Sequence, residues 1–472
     1  MFTKQSKFFL SISAATFLAF SPALADDKDA RIEALEAQLQ ALAGELQAMK
    51  AERAIEKQAL KEEIREDVVE EATARVFQNI EPAVGISEET DQVSVGFNKN
   101  NNLEITSADG SRTLQFFGKA QLDYTQFNDD VSDQPNGTNF RRARIGAQGK
   151  FTDDWFYRFQ FGFAEDQADI EDFHLTYLGF DAADIRIGHQ RPVFGFDENT
   201  SAKYTFFTER AAPNNVFSQA RLIGLNFLGG GDHWSWGAGV FGETAGANNP
   251  GDDEGLSLDF GVSANVLGLA NPETESVLHL GAAYSHRRPT DDVTLAYAPT
   301  ADSPLIVNTG AISNVDSIDA IGLELVAAHG PFSFQSEYFT ADVNVDDAFG
   351  LDADFDGFYA QASWFITGES RAATYNGRSG TFFRVDPKRS FSLTEGGWGA
   401  WELAVRYEHV DLNDSGAGLL GGQLDNTTLG VNWHINPYVT LFANYILVDT
   451  DENSVVPDDD PEIFNMRLQW EF

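Results

Sequence analysis

The chain has 472 residues, no cysteine and a formal net charge of −41 at pH 7. This acidic balance argues against nucleic-acid binding, and the absence of cysteine excludes a disulfide framework and any Cys-ligated metal site. Beyond the N-terminal region, no stretch offers about 18 uncharged apolar residues in a row, so insertion into a membrane would require strands.

Residues 1–25 have the pattern of a secretory signal peptide. Two lysines precede an apolar run from Phe8 to Phe20, and Ala23-Leu24-Ala25 supplies the small residues that signal peptidase recognises. The apolar run is too short to cross a bilayer as a helix. We therefore expect export, with a mature chain that starts near Asp26.

Residues 26–75 are rich in Ala, Glu, Lys, Gln and Leu, and they predict an α-helix with a heptad seam. Its apolar positions, spaced three and four apart, are Ile32, Leu35, Leu39, Leu42, Leu46 and Met49. This spacing is typical of a short coiled coil, most naturally a trimeric one in the periplasm. A single amphipathic helix packed on another surface is the alternative. Residues 76–111 follow as a linker with room for a short strand pair.

From residue 112 onward the pattern changes to the two-residue period of strands. The clearest case is the C-terminal strand, whose apolar face holds Phe464, Met466, Leu468, Trp470 and Phe472. Its polar face holds Asn465, Arg467, Gln469 and Glu471. Such a strand turns its apolar side to lipid and its polar side to a wet lumen. The edge of a soluble β-sandwich alternates in the same way, but the signal peptide and the remaining strands favour the membrane.

Strands of this kind recur through residues 112–472, joined alternately by long loops and short turns, and we count about 16 of them. The predicted fold is therefore all-β, a 16-stranded antiparallel transmembrane β-barrel preceded by the coiled coil. An even strand number places both barrel ends on the periplasmic side, and a barrel of this size encloses an aqueous channel. One connection, from Thr367 to about Gly397, is long although it falls on the periplasmic side, so we expect it to have a special role.

Lysine and arginine occur in three groups rather than scattered through the acidic background. The long periplasmic connection holds Arg371, Arg378, Arg384, Lys388 and Arg389. The third long loop and its borders hold Arg191, Lys203, Arg210 and Arg221. The strands hold Lys119, Arg141, Arg142, Arg144, Arg158 and Arg186, all on lumen-facing positions except Arg141.

A series of guanidinium groups along a pore predicts passage of anions. Each group is permanently charged and offers planar donors that replace the hydration shell of an anion. The alternative is that each arginine is structural, paired with a loop carboxylate such as Asp197, Glu198 or Glu209.

Several stretches resemble the phosphate-selective porin O and P family of Gram-negative outer-membrane porins. The most specific are Trp364 to Arg371, Phe383 to Arg389 and Gly396 to Tyr407, supported by Arg141 to Ile145, Thr200 to Lys203, Glu209-Arg210 and Thr428 to Trp433. The resemblance covers nearly the whole barrel. It implies a trimeric 16-stranded channel in which the third and fifth loops and one long periplasmic connection fold inward to form a constriction lined by Arg and Lys.

By this resemblance, Arg141, Arg142, Arg144, Lys203 and Arg210 would be constriction or ladder positions. Together with the residues grouped above, the candidate set for anion binding and pore lining is Arg141, Arg142, Arg144, Arg158, Arg186, Lys203, Arg210, Arg371, Arg384 and Lys388. The chain departs from the family at the fifth loop, about residues 289–317, which has no Lys or Arg. The phosphate-selective members place basic residues there, so the departure leaves phosphate preference open.

We expect an outer-membrane porin for passive diffusion of small anions of the phosphate or polyphosphate class, surrounded by outer-membrane lipid and assembled as a homotrimer. A general or cation-favouring pore, and a mainly structural tether between outer membrane and periplasm, are the alternatives. No His-Glu-x-x-His, Gly-x-Ser-x-Gly or phosphate-cradling glycine loop occurs, so we expect no enzyme activity, no cofactor and no metal.

Overall fold

The computed structural model describes residues 93–472, apart from 99–101, 129–130, 132–133, 165–167, 246–255, 266–275, 290–291, 347, 349, 454 and 457–458. The predicted signal peptide (1–25), coiled coil (26–75) and most of the predicted linker (76–111) lie outside the described residues and stay predictions. Among the described helices, none has the length and hydropathy that a membrane span requires.

Sixteen antiparallel strands form the body of the described structure. In chain order they are β1 (Thr113–Asn128), β2 (Gly137–Thr152), β3 (Trp155–Gly162), β4 (Asp169–Tyr177), β5 (Asp184–Gln190), β6 (Leu222–Gly230), β7 (Trp234–Phe241), β8 (Leu256–Asn265), β9 (Ser276–Arg288), β10 (Val315–His329), β11 (Phe332–Val345), β12 (Ala353–Phe365), β13 (Ala400–Asp414), β14 (Leu419–Asn436), β15 (Val439–Leu447) and β16 (Glu462–Glu471).

The sixteen strands close into a ring. Each pairs with the next along the chain, and β16 pairs with β1, from Glu471 opposite Lys119 to Glu462 opposite Asn128. Closure removes free sheet edges, so the backbone polar groups of the wall bond within the sheet. The ring confirms the predicted 16-stranded antiparallel barrel.

The two faces of the wall follow the predicted alternation. Along β16, Asn465, Arg467 and Gln469 point inward and are buried, whereas Met466 and Trp470 are exposed on the outer face. The period-two alternation of this strand therefore correctly predicted which of its faces points to the lumen and which points outward.

Shorter elements accompany the barrel. The strands Ser94–Phe97 and Leu103–Thr106 form a hairpin that pairs with the start of β1, and Thr450–Asn453 pairs with β14. Two small ladders join Ala296–Tyr297 to Val307–Asn308 and Tyr375–Asn376 to Thr381–Phe382. The described helices are α1 (Phe196–Asn199), α2 (Ala212–Phe217) and a 3₁₀ turn at Ala372–Thr374.

The connections differ between the two ends of the barrel. At the turn end, six of the seven connections have ten residues or fewer, and residues 153–154, 330–331 and 437–438 form connections of two residues each. The exception is the connection T6, residues 366–399, which confirms the predicted long segment at this end. At the loop end, the two long loops are L3 (residues 191–221) and L5 (residues 289–314).

L3 and L5 fold into the barrel and fill one side of it. An apolar core joins them to the inner faces of β9–β16, and its members include Phe194, Phe217, Tyr297, Val307 and Phe339. A second cluster joins L3 to T6 through Phe196, Phe206, Phe207, Tyr375 and Phe382. L5 also crosses to the far wall, because Asp302 accepts hydrogen bonds from Asn139 (2.5 Å) and Thr125 (3.2 Å). The inward folding that the family resemblance implied is confirmed for both loops.

Candidate functional site

The backbone of L3 is tied to the inner wall by side chains of the strands. Carbonyl oxygens of five L3 residues between 202 and 209 accept hydrogen bonds from wall amides and guanidinium groups. The donor–acceptor pairs are Gln121–Ala202 (3.1 Å), Gln469–Lys203 (3.0 Å), Asn432–Phe206 (2.8 Å), Arg406–Glu209 (3.0 Å) and Arg467–Thr208. The backbone carbonyls of a loop in a water-filled lumen would otherwise accept hydrogen bonds from water. Because the donors belong to the fixed barrel wall, they determine the position of L3.

Two wall carboxylates hold the short helices of L3. Glu337 accepts the backbone N–H of Phe196 (2.6 Å) and of Asp197 (3.0 Å) at the start of α1, and Glu408 accepts that of Ala212 (2.5 Å) at the start of α2. The Glu337 carboxylate can come this close to the backbone of α1 only because residue 195 is a glycine. Gly195 has φ of 83°, and an added Cβ would lie 3.2 Å from the Glu337 carboxylate.

L3, L5 and T6 cover β9–β16, and a large cavity lies along β1–β7. It has a volume of about 620 Å³ and opens between that wall, L3 and T6. Its basic lining residues are Lys119, Arg144, Arg158, Arg186, Arg191, Lys203, Arg221 and Arg378. Its acidic lining residues are only Asp172 and Asp184. The cavity is therefore cationic although the whole chain is strongly acidic.

A second cavity of about 250 Å³ lies nearer the loop end. Its charged lining residues are Arg141, Arg142, Arg144, Asp169 and Glu171. Arg144 lines both cavities, so it stands at the boundary between them. An ion that passes from the loop end through these two spaces meets guanidinium groups at each stage.

A β-bulge in β2 brings two consecutive arginines to the lumen. Gln121 of β1 stands opposite Arg142 and Leu122 stands opposite Phe140, so Arg141 is the extra residue. Arg141 therefore turns inward against the expectation from strand parity, and its guanidinium binds Glu209 at 2.8 Å.

Glu209 of L3 is shared by three guanidinium groups. Besides Arg141 it contacts Arg467 at 2.6 Å and Arg142 at 3.6 Å. Burial alone would raise the pKa of Glu209, but Arg141, Arg142 and Arg467 hold that pKa well below its usual range. The carboxylate is therefore ionised near neutral pH and fixes L3 beside the second cavity.

Most cations of the large cavity have a carboxylate partner. Arg158 binds Asp172 at 2.9 Å and lies 4.3 Å from the ring centroid of Phe117. The other ion pairs are Arg144–Glu171, Arg191–Glu198 (3.0 Å), Lys203–Glu471, Arg221–Asp172 (2.6 Å), Arg221–Glu171 (2.8 Å) and Arg378–Asp184 (3.0 Å).

Lys119 and Arg186 differ from the other cations of the large cavity. Within the described part of the chain, neither side chain has a hydrogen bond or an ion pair, and Lys119 is 6% exposed. Lys119 therefore has no carboxylate partner among the described residues, whereas Asp172 and Asp184 act on the charge of Arg186 without forming an ion pair.

Four of the predicted site residues line neither the large cavity nor the second cavity. They hold L3 and T6 in place instead. Arg210 is buried and donates to the carbonyls of Asp197 (2.8 Å) and Thr200 (2.9 Å) within L3. Arg371 of T6 forms a two-pronged pair with Glu402, at 2.7 and 2.8 Å.

The remaining two residues of this kind are also in T6. Arg384 binds Asp386 at 2.7 Å and stacks on the ring of Tyr438. The Lys388 ammonium donates to the carbonyl of Gly368 at 2.5 Å. The other six predicted residues, Arg141, Arg142, Arg144, Arg158, Arg186 and Lys203, all line one or both cavities.

Four lining cations are absent from the predicted set, namely Lys119, Arg191, Arg221 and Arg378. Each belongs to one of the three groups of Lys and Arg in the sequence. Membership of such a group was therefore a signal that could have identified them as lining residues. Among the described residues, no cluster of three or more His, Asp or Glu side chains is arranged to hold a metal ion.

Comparisons with known proteins agree with this geometry. The family model described as phosphate-selective porin O and P matches residues 115–472. Porin O of Pseudomonas aeruginosa is 28% identical over 429 residues, which span 81% of this chain and 94% of that protein.

Solved structures share the fold at low identity. The anion-selective porin from Comamonas acidovorans superposes with a TM-score of 0.50 at 12% identity, over 76% of this chain and all of that one. The trimer form of OmpT from Vibrio cholerae gives the same TM-score and identity over 77% of this chain. Because the family model matches more than half of the chain and all but the first two residues of the barrel wall, the chain belongs to the phosphate-selective porin O and P family.

Proposed function

We propose that this porin is a passive diffusion channel for small anions, those of the phosphate class among them. The observation that carries the proposal is the large lumen cavity in a chain of net charge −41. Its eight basic side chains outnumber the carboxylates around them, which are Asp172 and Asp184 in the lining and Glu171, Glu198 and Glu471 as ion-pair partners of lining cations. Low-dielectric walls around such a cavity concentrate its positive field and raise the local concentration of anions.

The positions of the arginines suggest a route and a division of roles. Arg141 and Arg142 attract anions at the loop end, Arg144 passes them between the cavities, and Arg158, Arg186 and Lys203 line the wider space beyond. Arg210, Arg371, Arg384 and Lys388 act indirectly, because they keep L3 and T6 folded along the opposite wall.

The outer surface supports placement in the outer membrane. Large apolar residues such as Phe173, Leu280, Leu323 and Leu429 are exposed on the outer faces of strands all round the ring, where a membrane barrel contacts lipid. The neighbour from Vibrio cholerae is described as a trimer, and we propose the same assembly for this chain.

The reversal potential in a KCl gradient across a planar bilayer tests the channel. We expect anion preference for the native protein and about a two- to fivefold smaller chloride-to-potassium permeability ratio for Arg144→Gln, since one partly hydrated charge contributes about 0.5–1 kcal/mol. Arg389→Gln removes the same charge from an exposed site that lines neither cavity, and it should leave the ratio unchanged. A native channel that prefers potassium would overturn the proposal.

A further inference from the structure

The large cationic cavity is also lined by aromatic rings. Phe117, Phe156, Tyr204, Trp236, Phe382 and Phe383 contribute to its surface. A cavity of about 620 Å³ lies within the range of about 300–1,000 Å³ that encloses organic molecules of moderate size. Inorganic phosphate offers only oxygen atoms, so it leaves these rings without a matching partner.

One aromatic pair lies directly beside the basic residues. The rings of Tyr204 in L3 and Phe383 in T6 have their centroids 6.3 Å apart, and Phe383 is 46% exposed. The ammonium of Lys203 lies 5.0 Å from the centroid of Tyr204 and forms an ion pair with Glu471, whose carboxylate also accepts from the Tyr204 hydroxyl. An anion held by Lys119, which lines the same cavity, would therefore carry any attached ring toward this aromatic pair.

Lys119 supplies the second half of the site. It is buried, it lines the cavity, and among the described residues its ammonium forms no ion pair and no hydrogen bond. Arg142, Arg144, Arg191 and Lys203 all lie close enough to repel its charge. A bound anion would relieve this repulsion, which makes the surroundings of Lys119 and Lys203 the natural position for the anionic group.

The fifth loop does not add cations that would favour a bare, highly charged ion. L5 contains no Lys or Arg, and none of its residues lines the large cavity. The lumen therefore combines a limited number of uncompensated charges with a substantial aromatic surface.

From these features we infer that the cavity prefers small organic anions in which one anionic group is joined to an aromatic ring, such as aryl phosphates and aryl carboxylates, over inorganic phosphate. Lys119 holds the anionic group beside the Lys203–Glu471 ion pair, and Tyr204 and Phe383 contact the ring. The inference rests on the proposed anion channel and narrows its substrate class.

The test compares two blockers that differ only by a ring. Chloride current through the channel in a planar bilayer is titrated with inorganic phosphate or with phenyl phosphate at about pH 8, where both are largely dianions. Ring contacts of this kind are worth enough for phenyl phosphate to reach half-block at about a three- to tenfold lower concentration than phosphate.

Three variants assign the effect to residues. Phe383→Ala should abolish the advantage of phenyl phosphate over phosphate, and Lys119→Gln should weaken block by both ions. Phe391→Ala is the matched control, because Phe391 also belongs to T6 but packs on Trp433 and lines neither the large cavity nor the second cavity. This variant should keep the native preference for phenyl phosphate. Each variant is first checked for heat-modifiable mobility on a gel, which reports a folded barrel.

The outcomes separate this inference from the proposed function. Equal block by the two ions in an anion-selective native channel would overturn the ring preference alone. A persistent advantage of phenyl phosphate in Phe383→Ala would overturn the assigned site. A native channel without anion preference would remove the proposed function and this inference with it.

Discussion

At the scale of single residues, Glu209 connects the position of L3 to the electrostatics of the lumen. Its carboxylate is surrounded by Arg141, Arg142 and Arg467, and its backbone carbonyl accepts a hydrogen bond from Arg406. Loss of this one charge would leave three guanidinium groups without their shared partner in a largely buried place. Breaking a buried pair by removing one partner costs about 3–5 kcal/mol.

The depressed pKa of Glu209 predicts how the channel responds to acid. A carboxyl whose pKa is lower in the folded than in the unfolded state stabilises the fold above its unfolded pKa, here about 4.5, and loses that contribution as the pH falls through the folded value. Glu209 should therefore hold L3 unchanged from pH 8 to about pH 5. Glu209→Gln should lower the apparent Tm in detergent at pH 7 and increase current noise.

The pH dependence of the variant provides the control. Glu209→Gln cannot lose a charge at this position, so the difference in apparent Tm between native protein and variant should shrink as the pH approaches 3. A difference that stays constant over this range would show that the carboxylate charge does not anchor L3.

The residue Arg141 marks a limit of the sequence pattern. Strand parity placed it on the outer face, and the bulge that turns it inward depends on the pairing of β2 with β1. A signal was present in the sequence, since Arg141, Arg142 and Arg144 cannot all be kept from lipid in a regular strand. Three arginines in such a run of a membrane-spanning strand therefore indicate a bulge.

At the scale of elements, T6 and L3 are joined by a single buried side chain. Arg371 binds Glu402 of β13 with two hydrogen bonds, donates to the carbonyl of Tyr204 (2.9 Å) and lies 4.0 Å from the ring centroid of Phe206. One guanidinium thus connects the turn-end connection, the wall and the inward loop, and it stands 1% exposed.

Arg371→Gln should loosen T6 and L3 together. The change leaves Glu402 buried with a weaker partner, so we expect a loss of about 3–5 kcal/mol, seen as a lower apparent Tm in detergent. Single-channel conductance should rise, because the two segments that narrow the lumen would lose their common anchor. Arg389→Gln removes an exposed charge from the same connection and should change neither quantity. An unchanged conductance in Arg371→Gln would mean that T6 and L3 hold their positions independently.

Sequence reasoning succeeded where structure depends on local period and failed where it depends on distant contacts. Alternation and strand parity predicted sixteen strands and the side on which T6 lies. The path of L3 could not be predicted in this way. Asn432, Gln469 and Gln121 are ordinary polar residues of a lumen-facing wall, and only the closed ring brings them to the carbonyls of L3 residues between 202 and 206.

The same limit applied to the cations. Their grouping indicated an anion path, but their division into lining and anchoring residues required the fold. Arg210 and Arg144 are indistinguishable as sequence signals, whereas one donates to carbonyls of its own loop and the other separates two cavities.

At the scale of the whole molecule, the strands on one side of the barrel are shorter than those on the other side. We call the side with the short strands β3–β7 the low wall and the side with the long strands β9–β14 the high wall. Strands β3–β7 contain 7 to 9 residues, whereas β9–β14 contain 13 to 18. A strand needs about 9–11 residues to cross the apolar part of a bilayer. The low wall is therefore marginal as a lipid-facing surface, and cover by a second copy of the chain would remove this mismatch.

Aromatic packing occurs on the outer face of the same wall. Rings of Tyr157, Phe159, Phe161 and Phe173 lie with neighbouring centroids 6.0 to 6.4 Å apart along β3 and β4. These rings continue through the middle of the wall, whereas lipid-facing barrels concentrate aromatic residues in two girdles at the interfaces. We therefore expect β3–β5 to lie at the subunit contact of the proposed trimer.

Truncation of two of these rings tests the contact. The double variant Phe159→Ala, Phe173→Ala should lower the temperature at which trimers dissociate on a semi-native gel, because each lost ring removes a large apolar contact between subunits. Leu323→Ala with Leu325→Ala is the matched control, since both leucines are exposed on the high wall. In the proposed trimer this wall would lie outside the subunit contact. If the leucine variant dissociates at the lower temperature and the aromatic variant does not, the subunit contact lies on the high wall instead.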